Sequence, residues 1–122
     1  MNFVNWTEDL GQSLVQKLAR EFKKNFEYDP ELSKQCIEHS TQMMESGRIF
    51  HSTDFPPRVD YELIAKTSRK PLDQLLQNLV ELWKRTANDK RALKTNKGIG
   101  VGFAYSIAIN KLYCTAWLTS NV

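Results

Sequence analysis

Cysteine is scarce in this chain of 122 residues, and its two copies, Cys36 and Cys114, lie far apart. Two cysteines are too few for a disulfide framework, and no closely spaced pair of Cys or His residues indicates a structural zinc site. Both cysteines fall on stripes of apolar residues. We therefore predict that they are reduced and that they pack as small core side chains.

Long hydrophobic runs are also missing, so the sequence predicts no membrane-spanning segment. The first ten residues lack the basic start and apolar stretch of a signal peptide. The protein is thus either made without such a signal or trimmed of it. The length suits one domain, residues 1–122, with a single core.

A strong charge of one sign is absent too. The formal net charge is +3, and Lys and Arg alternate with Asp and Glu along the whole chain. Nucleic-acid binders usually cluster their cations on one face, so we predict no nucleic-acid partner. The densest basic stretch, residues 84–97, is typical of a solvated loop that follows a helix.

Amphipathic patterns are what the sequence does have. Apolar residues at every fourth position from Leu10 to Phe26 predict a first helix, with Thr7 as its N-cap. An Asp-Pro start and a glycine stop predict a second helix over 29–47. A third, the clearest, is predicted from Pro71 to about Asn88. A short strand, 59–65, is expected between the last two.

The C-terminal third predicts a β-hairpin with a turn near Asn110-Lys111. Its first strand, 99–108, alternates large apolar residues with Gly, Ala and Ser, and this small-residue face leaves room for the helix from Pro71 to lie close. The order of elements predicts the α+β class. We expect a three-layer α-β-α sandwich with a small, mainly antiparallel sheet.

Several landmarks occur in a characteristic order along residues 10–119. They are Tyr28-Asp29-Pro30-Glu31-Leu32, then Met43, Met44 and Gly47, then His51-Ser52, Tyr61-Glu62-Leu63, Trp83, Gly100-Val101-Gly102-Phe103-Ala104, and an aromatic-rich strand from Tyr113 to Trp117. This ordered set resembles the CAP superfamily (cysteine-rich secretory proteins, antigen 5 and pathogenesis-related 1 proteins), and in particular its short bacterial SCP-like domain.

The resemblance implies a cleft that in some members holds two histidines and two acids around a divalent metal. His51 and Glu62 match two of those positions, whereas Thr86 and Asp89 occupy the other two. With one imidazole left, a His51-Glu62-Asp89 set is a poor site for a transition metal. We therefore expect no metal, no cofactor and no catalytic residues, and a hydrogen bond between His51 and Glu62. His39 lies off the apolar stripe of its helix and is expected to be exposed.

The resemblance also implies a function. It predicts a non-catalytic module that is secreted or lies at a bacterial cell surface. The module is expected to bind a protein or lipid partner, and a partner derived from a host is one of the options. Export would involve a leader that has been removed, with a lipid anchor as one form of it. The alternative is a metal-dependent hydrolase that uses a non-standard His-Glu-Asp cleft. The sequence contains no Gly-x-Ser-x-Gly nucleophile motif that would favour the enzyme.

Overall fold

A computed structural model of the protein describes the backbone of residues 3–120 and the side chains of residues 9–120. Its helices are α1 (Phe3–Phe22), α2 (Pro30–Ser46), α3 (Leu72–Lys84) and α4 (Ala87–Thr95). Its strands are β1 (Glu27–Tyr28), β2 (Tyr61–Ser68), β3 (Gly98–Ser106) and β4 (Lys111–Thr119). None of the helices in this described part is long and apolar enough to cross a membrane.

The four strands form one sheet in the order β1-β3-β4-β2. The β3–β4 hairpin and the β2–β4 pair are antiparallel, and the two-residue strand β1 adds to β3 in parallel. Glu62 pairs with Trp117 and Gly102 pairs with Thr115 across β4. The predicted α+β class and the mainly antiparallel sheet are confirmed.

Helices cover both faces of this sheet. On one face, buried residues of α1, α3 and α4 form the main core with inward side chains of β2, β3 and β4. On the other face, Leu32 and Cys36 of α2 pack with Trp117 of β4. The three-layer arrangement is therefore confirmed, with α2 alone as the second helical layer among the described residues.

The helix that lies on the small-residue face of β3 is α2, and the expectation that the Pro71 helix would occupy it is wrong. A Cβ atom on Gly102 would lie 2.1 Å from the Ile37 amide nitrogen, so α2 contacts the bare strand backbone. Ser40 Oγ donates a 2.8 Å hydrogen bond to the Gly102 carbonyl oxygen. The Pro71 helix packs behind β2 instead, where Trp83 Nε1 donates to the Ile64 carbonyl oxygen at 3.2 Å. Strand alternation predicted the small face but not which helix would use it.

Residues 84–97, predicted as a solvated loop, contain α4. Thr86 caps its start by accepting a hydrogen bond from the Asp89 amide nitrogen at 3.3 Å. At its end the Lys24 ammonium group donates to the carbonyl oxygens of Leu93 and Lys94, where a cation complements the helix dipole. Only two of its residues, Ala92 and Leu93, are buried. That narrow apolar stripe left no clear helical period in the sequence.

Other element boundaries differ by a few residues. Helix α1 begins at Phe3, ahead of the predicted cap at Thr7, and ends at Phe22 rather than near Phe26. Strand β2 begins two residues later than predicted and extends to Ser68. Helix α2 has the predicted cap at Asp29 and the predicted stop at Gly47, whose φ is +76°. Helix α3 ends at Lys84, ahead of the predicted end near Asn88. Of the predicted helix ends, the one at the glycine stop of α2 is confirmed, because Gly47 adopts the left-handed backbone that terminates a helix. Strand ends are less predictable, because strand length depends on pairing.

Both cysteines are buried and free. Burial raises the pKa of the Cys36 and Cys114 thiols well above the ordinary value, so neither forms a thiolate readily. The prediction that both pack as small core side chains is confirmed, and their reduced state stays a prediction.

Tyr113 is fully buried on the α2 face, and its hydroxyl is the one buried side-chain polar atom without a hydrogen-bond partner in the described part of the chain. An unpaired buried hydroxyl carries a desolvation penalty. We therefore expect Tyr113→Phe to raise the free energy of unfolding by about 1 kcal/mol. Urea unfolding followed by tryptophan fluorescence measures this, and a loss of stability would show that the hydroxyl has a partner.

Candidate functional site: a cleft around Glu62

The centre of the site is the Glu62 carboxylate on β2, whose side chain is 1% exposed. One oxygen, Oε1, accepts hydrogen bonds from His51 Nδ1 at 2.7 Å and from the Ser52 amide nitrogen at 2.9 Å. The other, Oε2, accepts from Ser52 Oγ at 2.6 Å and from Trp117 Nε1 at 2.8 Å. A carboxylate has about four acceptor positions, so the capacity of Glu62 is filled.

These bonds decide the charge state of Glu62. Burial raises its pKa, but the hydrogen bonds from Ser52, Trp117 and His51 favour the ionised form and together hold the pKa below its ordinary value. Since an ionised carboxylate only accepts, His51 must carry its proton on Nδ1. The site is thus a buried anion neutralised by hydrogen-bond donors.

The sequence brings His51 and Ser52 to Glu62 by folding the segment 48–60 back over the sheet. Its start is held by Phe50, whose amide nitrogen lies 3.5 Å from Met43 Sδ. Its end is held by Arg58, whose Nη1 lies 2.8 Å from Oδ2 of Asp29. Asp29 also caps α2 through its other oxygen, which accepts from the Leu32 amide at 3.0 Å. One residue therefore fixes both the helix start and the loop.

His39 is a member of this site that the sequence reasoning missed. It is 6% exposed, so the expectation of solvent exposure is wrong. Its Nε2–H donates to the Phe50 carbonyl oxygen at 2.7 Å, and Nε2 lies 3.9 Å from Oε2 of Glu62. The ring also contacts Phe50 edge-on, with centroids 5.0 Å apart. His39 lies off the apolar stripe, but the segment 48–60 covers that flank of α2, which a single-helix pattern does not reveal.

The four predicted cleft positions separate into two pairs. His51 and Glu62 are hydrogen-bonded, as predicted. Thr86 and Asp89 lie instead on the face of the sheet that α1, α3 and α4 cover. There Asp89 Oδ1 accepts a hydrogen bond from the Tyr61 hydroxyl at 2.5 Å, and Tyr61 packs against the main core. Tyr61 and Glu62 are neighbours on a strand and therefore point to opposite faces. Burial and then the bond to Asp89 raise the pKa of Tyr61 to about 12.

This arrangement does not fit the divalent metal that the resemblance implies. Metal binding needs free lone pairs that converge on one point, but both Glu62 oxygens are already occupied by donors. Asp89 is on the other face of the sheet. Among the described side chains, 9–120, no group of three or more His, Cys, Asp or Glu residues is placed to hold a metal ion.

An open cavity of about 370 Å³ lies in front of His51, between α2 and the segment 48–60. We call it the trough; it is lined by Gln35, Glu38, His39, Gln42, Phe50, His51, Ser52, Thr53, Asp54 and Trp117. Its rim carries two exposed carboxylates, Glu38 and Asp54. Next to the trough, the Phe55 ring contacts the Trp117 ring, with centroids 5.6 Å apart. The trough is polar and acidic, on a protein whose net charge is +3.

No protein-family model matches the sequence, and no curated protein matches it either. The structure is similar to an outer surface protein from Borrelia burgdorferi, with a TM-score of 0.69 and 16% identity over 93% of this chain and 94% of that one. It is also similar to an extracellular protein containing a SCP domain from Bacillus anthracis str. Ames, with a TM-score of 0.58 and 14% identity over 93% of this chain. The match spans 41% of the Bacillus chain. The fold that the sequence resemblance implied is confirmed, and the chain has an SCP-like fold.

Proposed function

We propose that this protein is a non-catalytic binding module, exported or held at a cell surface, whose trough takes a polar, positively charged segment of a partner protein. The observation that carries the proposal is the saturation of Glu62 by four hydrogen bonds. The residue that would be the metal ligand or general base of an enzyme is occupied in holding the loop.

The groups beside Glu62 also lack the relay of a hydrolase. A nucleophilic serine needs a base that accepts its proton. The Ser52 hydroxyl donates to Glu62, and the lowered pKa of that carboxyl makes it a poor base. His51 also donates its Nδ1 proton to this carboxylate, which is how a hydrolase orients its base, but the Ser52 hydroxyl is bonded to Glu62 and not to the His51 ring. The alternative of a His51-Glu62-Asp89 metal hydrolase finds no support in this geometry.

The lining of the trough favours a protein segment over a lipid. A lipid clamp requires a mostly apolar cavity. Here three α2 side chains, Gln35, Glu38 and Gln42, present amides and a carboxylate. Asp54 adds a second carboxylate from the opposite rim, so the charge complements a Lys- or Arg-containing segment.

Location at or outside the cell surface is supported by the two similar structures. One is named an outer surface protein and the other an extracellular protein. The lack of a disulfide between Cys36 and Cys114 is compatible with this, because the core rather than a crosslink stabilises the fold.

Amide chemical shifts of the ¹⁵N-labelled protein test the proposal. The probes are three eight-residue peptides of alternating Ser with Lys, Gly or Glu, and a medium-chain fatty acid below its micelle concentration. We expect the Lys peptide to change the amide chemical shifts of Gln35 and Gln42 and the shift of the Trp117 indole N–H. The paired substitution Glu38→Gln/Asp54→Asn should weaken its binding about fivefold, as expected for two exposed charge pairs.

The matched control is Glu45→Gln/Asp73→Asn, which removes the same charge from exposed positions outside the trough. It should leave the affinity within about twofold, since these carboxylates act only through solvent. If both paired substitutions weakened the binding of the Lys peptide equally, the peptide would be responding to the net charge of the protein and not to the trough, which would contradict the proposal. If the fatty acid shifted the signals of the trough residues and no peptide did, the ligand would be a lipid and the proposed protein partner would be wrong.

A further inference from the structure

The end of the sheet opposite the trough carries an unusual set of exposed aliphatic side chains. The turn between β3 and β4, residues 107–110, exposes Ile107 by 80% and Ile109 by 50%. We call these four residues the hairpin tip. Leu72, at the start of α3, is 48% exposed at the same end. Isoleucine seldom remains this exposed at a turn, where Gly, Asn, Asp and Ser are usual.

Two hydrogen bonds at Asn110 brace the hairpin tip. Asn110 adopts a left-handed φ of +53°, and its side-chain oxygen accepts from the Tyr105 hydroxyl at 2.6 Å. Its carbonyl oxygen also accepts from the Arg69 amide nitrogen at 3.4 Å. The two isoleucines are thus presented on a braced turn, which lowers the entropy cost of inserting them elsewhere.

Cations surround the tip. Lys111 Nζ donates to Ser68 Oγ at 2.8 Å, and the Arg69 guanidinium lies 5.6 Å from the centre of the Tyr105 ring. Lys70 follows the end of β2, and Lys66 lies two residues before that end, where its Nζ donates to the Gly47 carbonyl oxygen at 3.2 Å. The stretches 66–73 and 105–111 thus contain four cationic residues and a single carboxylate, Asp73.

We propose that the hairpin tip docks on an anionic lipid bilayer, with Ile107 and Ile109 in the boundary between headgroups and acyl chains. Aliphatic side chains gain free energy by leaving water, and a collar of Lys and Arg adds attraction to anionic headgroups. A convex apolar tip with a basic collar meets both requirements. The partly exposed Tyr105 lies at the level where aromatic residues favour the interface.

The proposal has a geometric consequence for the trough. Strand β2 runs from Glu62 in the site to Ser68 at the tip, a separation of about 20 Å at ordinary strand rise. A protein docked by the tip would therefore hold the trough away from the bilayer and free for a partner. Membrane docking and trough binding are separate properties, and each stands if the other fails.

The test is co-sedimentation of the full chain with vesicles of phosphatidylcholine alone or with 30 mol% phosphatidylglycerol, a composition of about one anionic lipid in three. We expect binding to the anionic vesicles and little to the neutral ones. Ile107→Ser/Ile109→Ser should lower the partition coefficient at least about tenfold, since each buried CH₂ contributes to membrane affinity. Leu82→Ser is the control, because Leu82 is 38% exposed on α3 away from the tip.

Circular dichroism of both variants verifies that they are folded. Absence of binding by the wild type to anionic vesicles would overturn the proposal. Equal binding by the tip variant would do the same, because it would leave only charge attraction. Analytical ultracentrifugation tests whether the tip instead contacts a second copy of this chain. If the wild type is a dimer and the Ile107→Ser/Ile109→Ser variant is a monomer, the tip is a contact between copies and the membrane assignment is overturned.

Discussion

Replacing Gly102 with alanine should lower the free energy of unfolding by about 3 kcal/mol or more, as expected for overpacking against a rigid neighbour. The new Cβ would lie 2.1 Å from the Ile37 nitrogen and 2.4 Å from the Cys36 carbonyl carbon, and both are backbone atoms of α2 that cannot rotate away. Helix α2 would have to shift off the sheet. The shift would break the hydrogen bond from Ser40 Oγ to the Gly102 carbonyl oxygen.

Gly11→Ala is the matched control for this prediction. A Cβ at Gly11 would lie 3.5 Å from the Val101 carbonyl oxygen, an ordinary contact. Alanine within α1 should then leave stability unchanged or raise it by up to about 1 kcal/mol through helix propensity. Urea unfolding of both variants gives the comparison. Similar losses for the two would mean that α2 does not lie on the small-residue face.

Glu62→Gln should cost about 3 kcal/mol of stability, because two of the four donors would then face an amide NH₂ group instead of an acceptor. In one orientation the Trp117 indole loses its acceptor, and in the other the Ser52 amide does, since both groups can only donate. Ser52 Oγ or His51 Nδ1 must in turn change from donor to acceptor. The substitution keeps the side-chain volume. The loss therefore measures the hydrogen bonds and the charge rather than packing.

The pH dependence of stability follows from the same carboxylate. Because the folded pKa of Glu62 is lowered, its contribution is present above the unfolded value of about 4.3 and is lost as the pH falls through the folded value. Glu62→Gln should remove this part of the acid sensitivity. Glu45→Gln, at an exposed position of α2, should change stability by less than about 0.5 kcal/mol. If the Glu62→Gln variant were as stable as the wild type, Glu62 would not be the centre of the site.

Much of the fold could be predicted from the sequence because its strongest signals are local. The cap at Asp29, the stop at Gly47 and the alternation of 99–106 each depend on residues that are close in the chain. Helix α4 and strand β1 could not be predicted in the same way. The buried stripe of α4 has two residues, and β1 exists only because β3 offers it an edge.

The candidate site was half predictable for a similar reason. His51 and Glu62 follow from the ordered landmarks, and the structure joins them. The second histidine, His39, is buried by the folded-back segment 48–60, and Asp89 is separated from Glu62 by the alternation of β2. Which side of a sheet a distant carboxylate reaches depends on the path of the chain between, and no spacing in the sequence reports it.

The most direct test of the non-catalytic assignment is the melting temperature with and without excess zinc. A ligand present at a hundred times its Kd for the folded state stabilises that state by about 2.7 kcal/mol, which is on the order of 10 °C for a chain of this size. With Glu62 saturated and Asp89 behind the sheet, we predict the same melting temperature with zinc as with chelator, for the wild type and for His51→Ala alike. A zinc-dependent rise of several degrees in the wild type that disappears in His51→Ala would contradict the account and restore a metal site in the cleft.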